Sequence, residues 1–202
     1  MNDIDRLLSY WLEPVPTSEA EVEGKKAFWF RGSADIDRDI RDRFGTLVER
    51  ARSGDLDAWV ESPRGTLALI ILIDQFSRNL YRGTPAAFSC DSLALGLARR
   101  GYESGRFREF GTLEHLFAAM PFRHAEDIET QKRAVALAVS DALRAEPHLK
   151  SLCVYSVDWA RKHLDVVVRF GRFPHRNVAL GRSSTPEELE YLEYLKAAGQ
   201  WL

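Results

Sequence analysis

Apolar residues recur along most of the chain with the period of an α-helix, and one stretch departs from that pattern. The residues from Leu67 to Ile73 are apolar on every side, where an exposed helix would carry a polar stripe. We therefore expect this stretch to be surrounded by protein. Ser62 followed by Pro63 is typical of an N-cap and the first helical position, so the pattern predicts a central buried helix near residues 63–80.

Polar residues follow in the second half of this helix and share one side. At 100° per residue they fall within an arc of about 140°. They are Asp74, Gln75, Arg78, Asn79 and Arg82. Guanidinium groups one turn apart commonly hold a carboxylate or a phosphate, so the arc is a candidate binding site. The alternative is a solvent-facing helix end with one Asp74–Arg78 ion pair, which would add little stability.

The remaining periodic segments also predict helices. They cover about residues 2–12, 18–27, 35–53, 91–102, 113–120, 126–145, 149–170, 175–180 and 186–198. The clearest start signal is a capping box at Thr185, with proline at the first helical position and Glu188 at the third. Eight to ten helices with short connections predict an all-α fold, in a single domain over residues 1–202. The five tryptophans are expected to anchor these helices in the core.

Composition and charge restrict the function classes. The chain has 202 residues, of which 45% are hydrophobic and 29% charged, with a net charge of −2. This balance is typical of a globular domain and gives no electrostatic basis for binding nucleic acid or an acidic membrane. Cys90 and Cys153 have no metal-site spacing and form no disulfide framework, which fits a reducing compartment. Without a signal-peptide core or an apolar run of roughly 20 residues, we expect a cytoplasmic protein with no membrane partner.

A second candidate site is the segment from Arg169 to Asn177. It concentrates cationic and amide side chains between glycine, proline and phenylalanine, and these side chains are Arg169, Arg172, His175, Arg176 and Asn177. A rigid corner of this kind presents donors to an anion from a turn and from the start of a helix. The alternative is a basic surface loop that its phenylalanines fix to the core.

A third candidate is the sequence His124-Ala-Glu126-Asp127. A histidine near two carboxylates is typical of a general base with its orienting partner, or of metal ligands. Acidic residues are also favoured at a helix N-terminus, so capping is the expected role of at least one of them. The spacing matches no metal motif, and we predict neither a metal nor a cofactor. His163 stands alone and is expected to be a packing or surface residue.

Three long motifs, in order, resemble those of a known family. They are Leu69–Phe88, Met120–Asp127 and Arg169–Asn177 with Leu180-Gly-Arg182. The chain is similar to the bacterial family named domain of unknown function 924, from about Phe28 to Glu188. The resemblance implies a tetratricopeptide-like array of helices and carries no established activity. Ser77 stands where the family has proline, and Phe122-Arg123 stands where Leu-Glu is more usual.

The leading hypothesis is that the three motifs form one cleft for a small anionic ligand, a phosphate or a carboxylate. The expected anion-binding residues are Arg78, Arg82, Arg172 and Arg176, with Asn79 and Asn177 orienting the ligand and Asp74 holding Arg78. His124 or His175 would be the acid–base residue of a hydrolytic or proton-transfer enzyme, oriented by Glu126 or Asp127.

Two other hypotheses remain open. One is a non-enzymatic, tetratricopeptide-like module that binds a peptide or a partner protein. The other is a buried ion-pair network that only holds the fold together. The three hypotheses differ in geometry. A closed pocket favours a small molecule, an open groove favours a peptide, and a structural network predicts no cavity.

Overall fold

The computed structural model describes residues 1–199, and these residues form helices and turns with no strand. The helices are α1 (Asp3–Leu12), α2 (Glu19–Phe30), α3 (Ala34–Ser53), α4 (Pro63–Ile70), α5 (Ser77–Leu80), α6 (Asp91–Glu103), α7 (Thr112–Ala118), α8 (Met120–Arg123), α9 (Ile128–Arg144), α10 (Lys150–Phe170) and α11 (Pro186–Ala197). The all-α prediction is therefore confirmed. Trp201, expected to be a core anchor, lies outside the described residues. No helix within the described range is both long enough and apolar enough to cross a membrane.

The central helix is buried as its sequence predicts. It begins where the Ser62 hydroxyl accepts a hydrogen bond of 3.0 Å from the Gly65 amide. Every residue from Leu67 to Ile73 is at most 4% exposed. Helices α1, α6 and α7 pack against α4, and α3 covers the part that follows. The core therefore surrounds this helix on all sides, which explains the absence of a polar stripe.

A π-helical turn, Ile71–Phe76, interrupts the central helix between α4 and α5. The Ser77 amide donates to the Leu72 carbonyl, five residues back, in place of the usual four. The prediction of one regular helix with 100° per residue is therefore wrong across this turn. The turn places the Asp74 side chain in the interior, where it is fully buried, while Arg78, Asn79 and Arg82 lie at the edge of the core.

The second half of the chain is built on a helical hairpin. Helices α9 and α10 pack along each other, joined by a short 3-10 turn, Pro147–Leu149. Helix α2 packs across α10. Such pairs are compatible with a tetratricopeptide-like array, which stays a prediction of the family resemblance.

The C-terminal helix begins with the predicted capping box. The Glu188 amide donates to Oγ1 of Thr185 at 3.2 Å, and Oε2 of Glu188 accepts from the Thr185 amide at 2.7 Å. The predicted helix over residues 175–180 is wrong, because only a 3-10 turn, Pro174–Arg176, forms there. Six residues are too few for a helix that is not stabilised by packing.

Candidate functional site

The centre of the site is a buried carboxylate that contacts a histidine. Asp74 is fully buried, and its Oδ1 lies 2.7 Å from Nδ1 of His124. Gln75 donates to the other carboxylate oxygen at 2.6 Å. Arg78 donates to Oδ1 at 3.1 Å and to the Asp74 backbone carbonyl at 2.8 Å. Both carboxylate oxygens are thus occupied, and Asp74 holds Arg78 as the sequence predicts.

A buried glutamine fixes the turn that carries His124. Nε2 of Gln131, on α9, donates to the backbone carbonyls of Arg123 and Ala125 at 2.6 and 2.7 Å. These two carbonyls flank His124 on either side. Because Gln131 is fully buried, the histidine is held by the core and not by an exposed loop.

The electrostatics of this pair determine its protonation. Burial raises the pKa of the Asp74 carboxyl, but Arg78 and His124 outweigh this effect and hold it below its usual value. Burial and the charge of Arg78 lower the pKa of His124, and Asp74 offsets only part of that change. At neutral pH Asp74 is therefore charged and His124 is neutral. A carboxylate only accepts, so Nδ1 carries the proton and Nε2 is the basic nitrogen.

Arg78 joins this pair to a second carboxylate, Asp91, at the start of α6. Its second terminal nitrogen donates to Oδ2 of Asp91 at 2.9 Å, and Arg176 donates to the same oxygen at 3.1 Å. The Arg176 guanidinium also lies 4.8 Å from the Phe88 ring centroid and 4.6 Å from that of Phe173. Burial, followed by the charge of Arg78, lowers the pKa of Arg176 to about 10. Arg176 therefore remains charged at neutral pH, and the shared carboxylate holds both guanidinium groups in fixed positions.

A cavity of about 220 Å³ opens beside the His124–Asp74 pair. One wall is polar and the other is apolar. The polar wall consists of Gln75, Arg78, Asn79, Arg82, Arg123, His124, Ser156 and His163. The apolar wall includes Trp29, Phe30, Leu116, Met120, Leu152, Tyr155 and Trp159. Four of the five residues of the predicted polar arc therefore line one cavity. The fifth, Asp74, is buried and does not line it.

Arg123 is the least compensated charge in this wall. It is 4% exposed and donates a hydrogen bond to the hydroxyl of Ser156, on α10. Within residues 1–199 no carboxylate oxygen lies within 4.0 Å of its guanidinium, and its Nε has no hydrogen-bond partner. Burial lowers the pKa of Arg123 to about 10, and Asp141 offsets part of this effect. The cavity thus contains a buried cation without a paired anion.

A second cavity, of about 310 Å³, shares part of the first cavity's wall. The shared residues are Arg78, Arg82, His124 and His163, and the second cavity adds Phe88, Phe173, His175 and Arg176 among others. We call the two cavities together the central cleft. Burial and the nearby charges of Arg176 and Arg78 lower the pKa of His175 to about 3, so it is neutral. Two of the predicted site residues of the Arg169–Asn177 motif, His175 and Arg176, therefore reach the cleft, together with Phe173.

Glu126 and Asp127 do not contact His124, which is a correction to the hypothesis. Glu126 accepts hydrogen bonds of 2.6 and 2.9 Å from Arg182 and one of 2.7 Å from the Phe173 amide. Asp127 is exposed and caps α9 by accepting from the Thr130 amide at 2.7 Å. The partner of His124 is Asp74 instead, because the turn after α8 directs the imidazole towards the central helix.

Three predicted ligand residues also lie outside the cleft, where they bind carboxylates of α11. Arg172 donates to both carboxylate oxygens of Glu188, at 2.6 and 2.8 Å, and Asn177 donates to Oε2 at 3.2 Å. Arg169 pairs with Glu187 at the surface. The chain reverses after Gly171, whose φ of +70° favours glycine, and this reversal directs these side chains to α11. The structural-network hypothesis thus describes part of this motif.

Sequence reasoning missed several residues of the cleft wall. The main ones are Trp29, Phe30, Arg123, Tyr155, Ser156, Trp159 and His163. The sequence held one usable signal, because Tyr155, Trp159 and His163 are spaced four residues apart and share one face of α10. No local pattern indicated that this face lies opposite the polar arc.

Comparison with known proteins identifies the family. Residues 7–195 match the model of a family described as "Bacterial protein of unknown function (DUF924)". The chain belongs to this family. A solved structure of a protein of unknown function from Agrobacterium tumefaciens is 38% identical in sequence, with a TM-score of 0.72. The match covers 87% of this chain and 96% of that one, and it shows a shared fold. No curated protein matches the chain.

Proposed function

We propose that this DUF924 protein binds a small anionic molecule in the central cleft and transfers a proton through His124. The observation that carries the proposal is the state of the histidine. Its Nδ1 is fixed by the buried Asp74, its ring is neutral, and the ring lies in the wall that both cavities share. Within the described part of the chain no protein group hydrogen-bonds to Nε2, which leaves that nitrogen for a ligand.

The pair has the properties of a general base. Nε2 takes a proton from the bound molecule, or from a water that attacks it, and the ring becomes an imidazolium. Asp74 then stabilises the positive charge and keeps the ring in one orientation. The proton leaves from the same nitrogen to the product or to solvent. Asp74 is a positioning residue in this proposal, because it lines neither cavity.

The arginines of the wall support an anionic ligand. Arg78, Arg176 and Arg82 already have carboxylate partners, whereas Arg123 has a buried guanidinium with no carboxylate oxygen of residues 1–199 within 4.0 Å. An anion beside Arg123 would supply the missing negative charge. The family resemblance places glutamate where Arg123 stands, so this anion site is a proposal for this chain and not for the family as a whole.

The size of the cleft favours a small molecule over a peptide. Cavities of about 220 and 310 Å³, walled by side chains from several helices, are near the lower end of the range for small-molecule pockets. An extended peptide requires an open groove along several helices. The geometry therefore favours a small-molecule ligand over a peptide.

The test is a thermal-shift and calorimetric screen with inorganic phosphate and with aliphatic and aromatic monocarboxylates. Sodium chloride at equal ionic strength is the reference. We expect at least one anion to stabilise the wild type, and Arg123→Met to bind it at least tenfold more weakly. Arg169→Gln, at an exposed ion pair outside the cleft, is the matched control and keeps the binding. If no anion of the panel exceeds chloride, the proposed function is overturned.

A further inference from the structure

We infer that the ligand carries a single flat aromatic ring directly attached to its anionic group, as in an arylcarboxylate or an aryl phosphate. The inference rests on the proposed function and adds the chemical class of the molecule. It comes from the wall of the first cavity that faces the arginines.

That wall is a continuous set of aromatic rings from two helices. On α2, the ring centroids of Trp29 and Phe30 lie 6.0 Å apart, and Phe30 lies 6.0 Å from Tyr155 on α10. Tyr155 in turn lies 6.0 Å from Trp159, one turn further along. These distances are within the range of favourable aromatic pairs, about 4.5–7 Å. The rings therefore support one another as a surface against which a further ring can pack.

The wall is not simply core packing. Trp29 is 6% exposed, and its indole N–H donates to the Trp11 carbonyl at 2.9 Å, so it is an ordinary core anchor. Phe30, Tyr155 and Trp159 are only partly buried although they line the cavity. Large rings left partly uncovered inside a cleft are suited to stacking with a ligand.

The anion anchor and the aromatic wall line the same small cavity. Arg123, held by its hydrogen bond to Ser156 of α10, and the rings of Tyr155 and Trp159 on the same helix all line the first cavity. Because this cavity has a volume of only about 220 Å³, a ligand that contacts both carries its charge close to its ring. This requirement excludes a long spacer between ring and anion and selects compounds in which the two are directly attached.

The volume of the cavity limits the ring system. A benzene molecule fills an apolar cavity of about 150 Å³. The first cavity has about 220 Å³, which leaves room for one ring and one carboxylate or phosphate group. A fused polycyclic body would exceed it.

The test is a set of matched ligands measured by calorimetry on the wild-type protein. The set contains acetate and benzoate, inorganic phosphate and phenyl phosphate, and benzyl alcohol as the neutral ring. We expect each aromatic anion to bind at least tenfold more tightly than its ring-free counterpart and than benzyl alcohol. The stronger of benzoate and phenyl phosphate identifies the anionic group.

Variants separate this inference from the proposed function. Trp159→Leu should weaken binding of the aromatic anion about fivefold, as expected for the loss of one aromatic contact. Phe170→Leu changes a partly buried ring that packs on Tyr191, away from the cleft, and should leave binding unchanged.

Three outcomes would contradict either the aromatic inference or the anion site. Equal affinity for acetate and benzoate would overturn the aromatic inference and leave the anion site standing. Equal affinity for benzoate and benzyl alcohol would overturn the anion site. Unchanged binding of the aromatic anion by Trp159→Leu would show that the ring of the ligand does not pack on the aromatic wall.

Discussion

Nδ1 of His124 lies 2.7 Å from Oδ1 of Asp74, a carboxylate 50 residues earlier in the chain that no solvent reaches. This contact joins the turn after α8 to the π-helical turn of the central helix. It leaves Nε2 of the histidine as the one ring nitrogen that a ligand can use. The contact also makes Asp74 a structural residue, because Arg78 and Gln75 depend on the same carboxylate.

The first prediction concerns the stability that Asp74 supplies. Asp74→Ala should lower the free energy of unfolding by about 3–5 kcal/mol, because it removes the partner of a largely buried arginine. Asp37→Ala, whose partner Arg82 is 56% exposed, should cost about 1 kcal/mol or less. Urea unfolding of both variants measures the difference. Equal losses would show that the buried pair is no more important than the surface pair.

The second prediction compares two equally buried arginines. Arg123 and Arg176 are 4% and 5% exposed, but among residues 1–199 only Arg176 finds a carboxylate partner. Arg123→Met should raise the free energy of unfolding by about 1–4 kcal/mol, because a desolvated charge is replaced by an apolar group. Arg176→Met should lower it by about 1.5–3 kcal/mol, because it removes one of the two guanidinium groups that bind Asp91 and leaves only Arg78. Chemical denaturation tests both, and a loss of stability in Arg123→Met would show that Arg123 serves the fold and not a ligand.

The third prediction uses two glycines of α6. A Cβ at Gly101 would lie 2.1 Å from the Phe107 ring, so Gly101→Ala should destabilise the protein by about 1–3 kcal/mol. A Cβ at Gly96 meets only the end of the Arg100 side chain, at 3.4 Å. Gly96→Ala should therefore stabilise the helix, by up to about 1 kcal/mol. Thermal melts show whether each substitution raises or lowers the stability of the protein. A change in the same direction for both would contradict the packing described for α6.

The fourth prediction is a pH dependence due to His175. Its pKa is about 3 in the folded protein and about 6.5 in the unfolded chain, so only the unfolded chain takes up a proton between these values. Stability is therefore complete above pH 6.5 and falls as the pH falls. From pH 7 to pH 5 this histidine should cost about 2 kcal/mol.

Unfolding free energies at pH 7 and pH 5 test this prediction, because most carboxylates remain charged in that window. His175→Gln should lose less stability than the wild type between the two values. His148→Gln, at an exposed position outside the cleft, is the matched control. An unchanged pH dependence in His175→Gln would contradict the burial of a neutral imidazole in the second cavity.

The features that are determined by residues close together in the sequence could be predicted from it. The run from Leu67 to Ile73 and the caps at Ser62 and Thr185 are local features, and the structure confirms each of them. The π-helical turn could not be predicted in this way. Its residues have ordinary helical propensities, and the turn depends on how the surrounding helices pack.

The cleft was predictable only in part, because its walls come from distant parts of the chain. The polar arc was found from one helix, and four of its residues line a cavity. Arg123 and Ser156 are 33 residues apart, and no spacing rule relates them. Arg172 was assigned to the ligand from composition alone. In the structure it forms an ion pair with Glu188, because the chain reverses at Gly171.

The central claim is that His124 exchanges protons in contact with a bound anion. The most direct test is calorimetric titration of benzoate near pH 6 in two buffers of different ionisation enthalpy, which counts the protons taken up on binding. An anion beside His124 opposes the effects that lower its pKa, so the wild type should take up a fraction of one proton, and His124→Gln should take up less. Binding without proton uptake, or the same uptake in His124→Gln, would contradict the account.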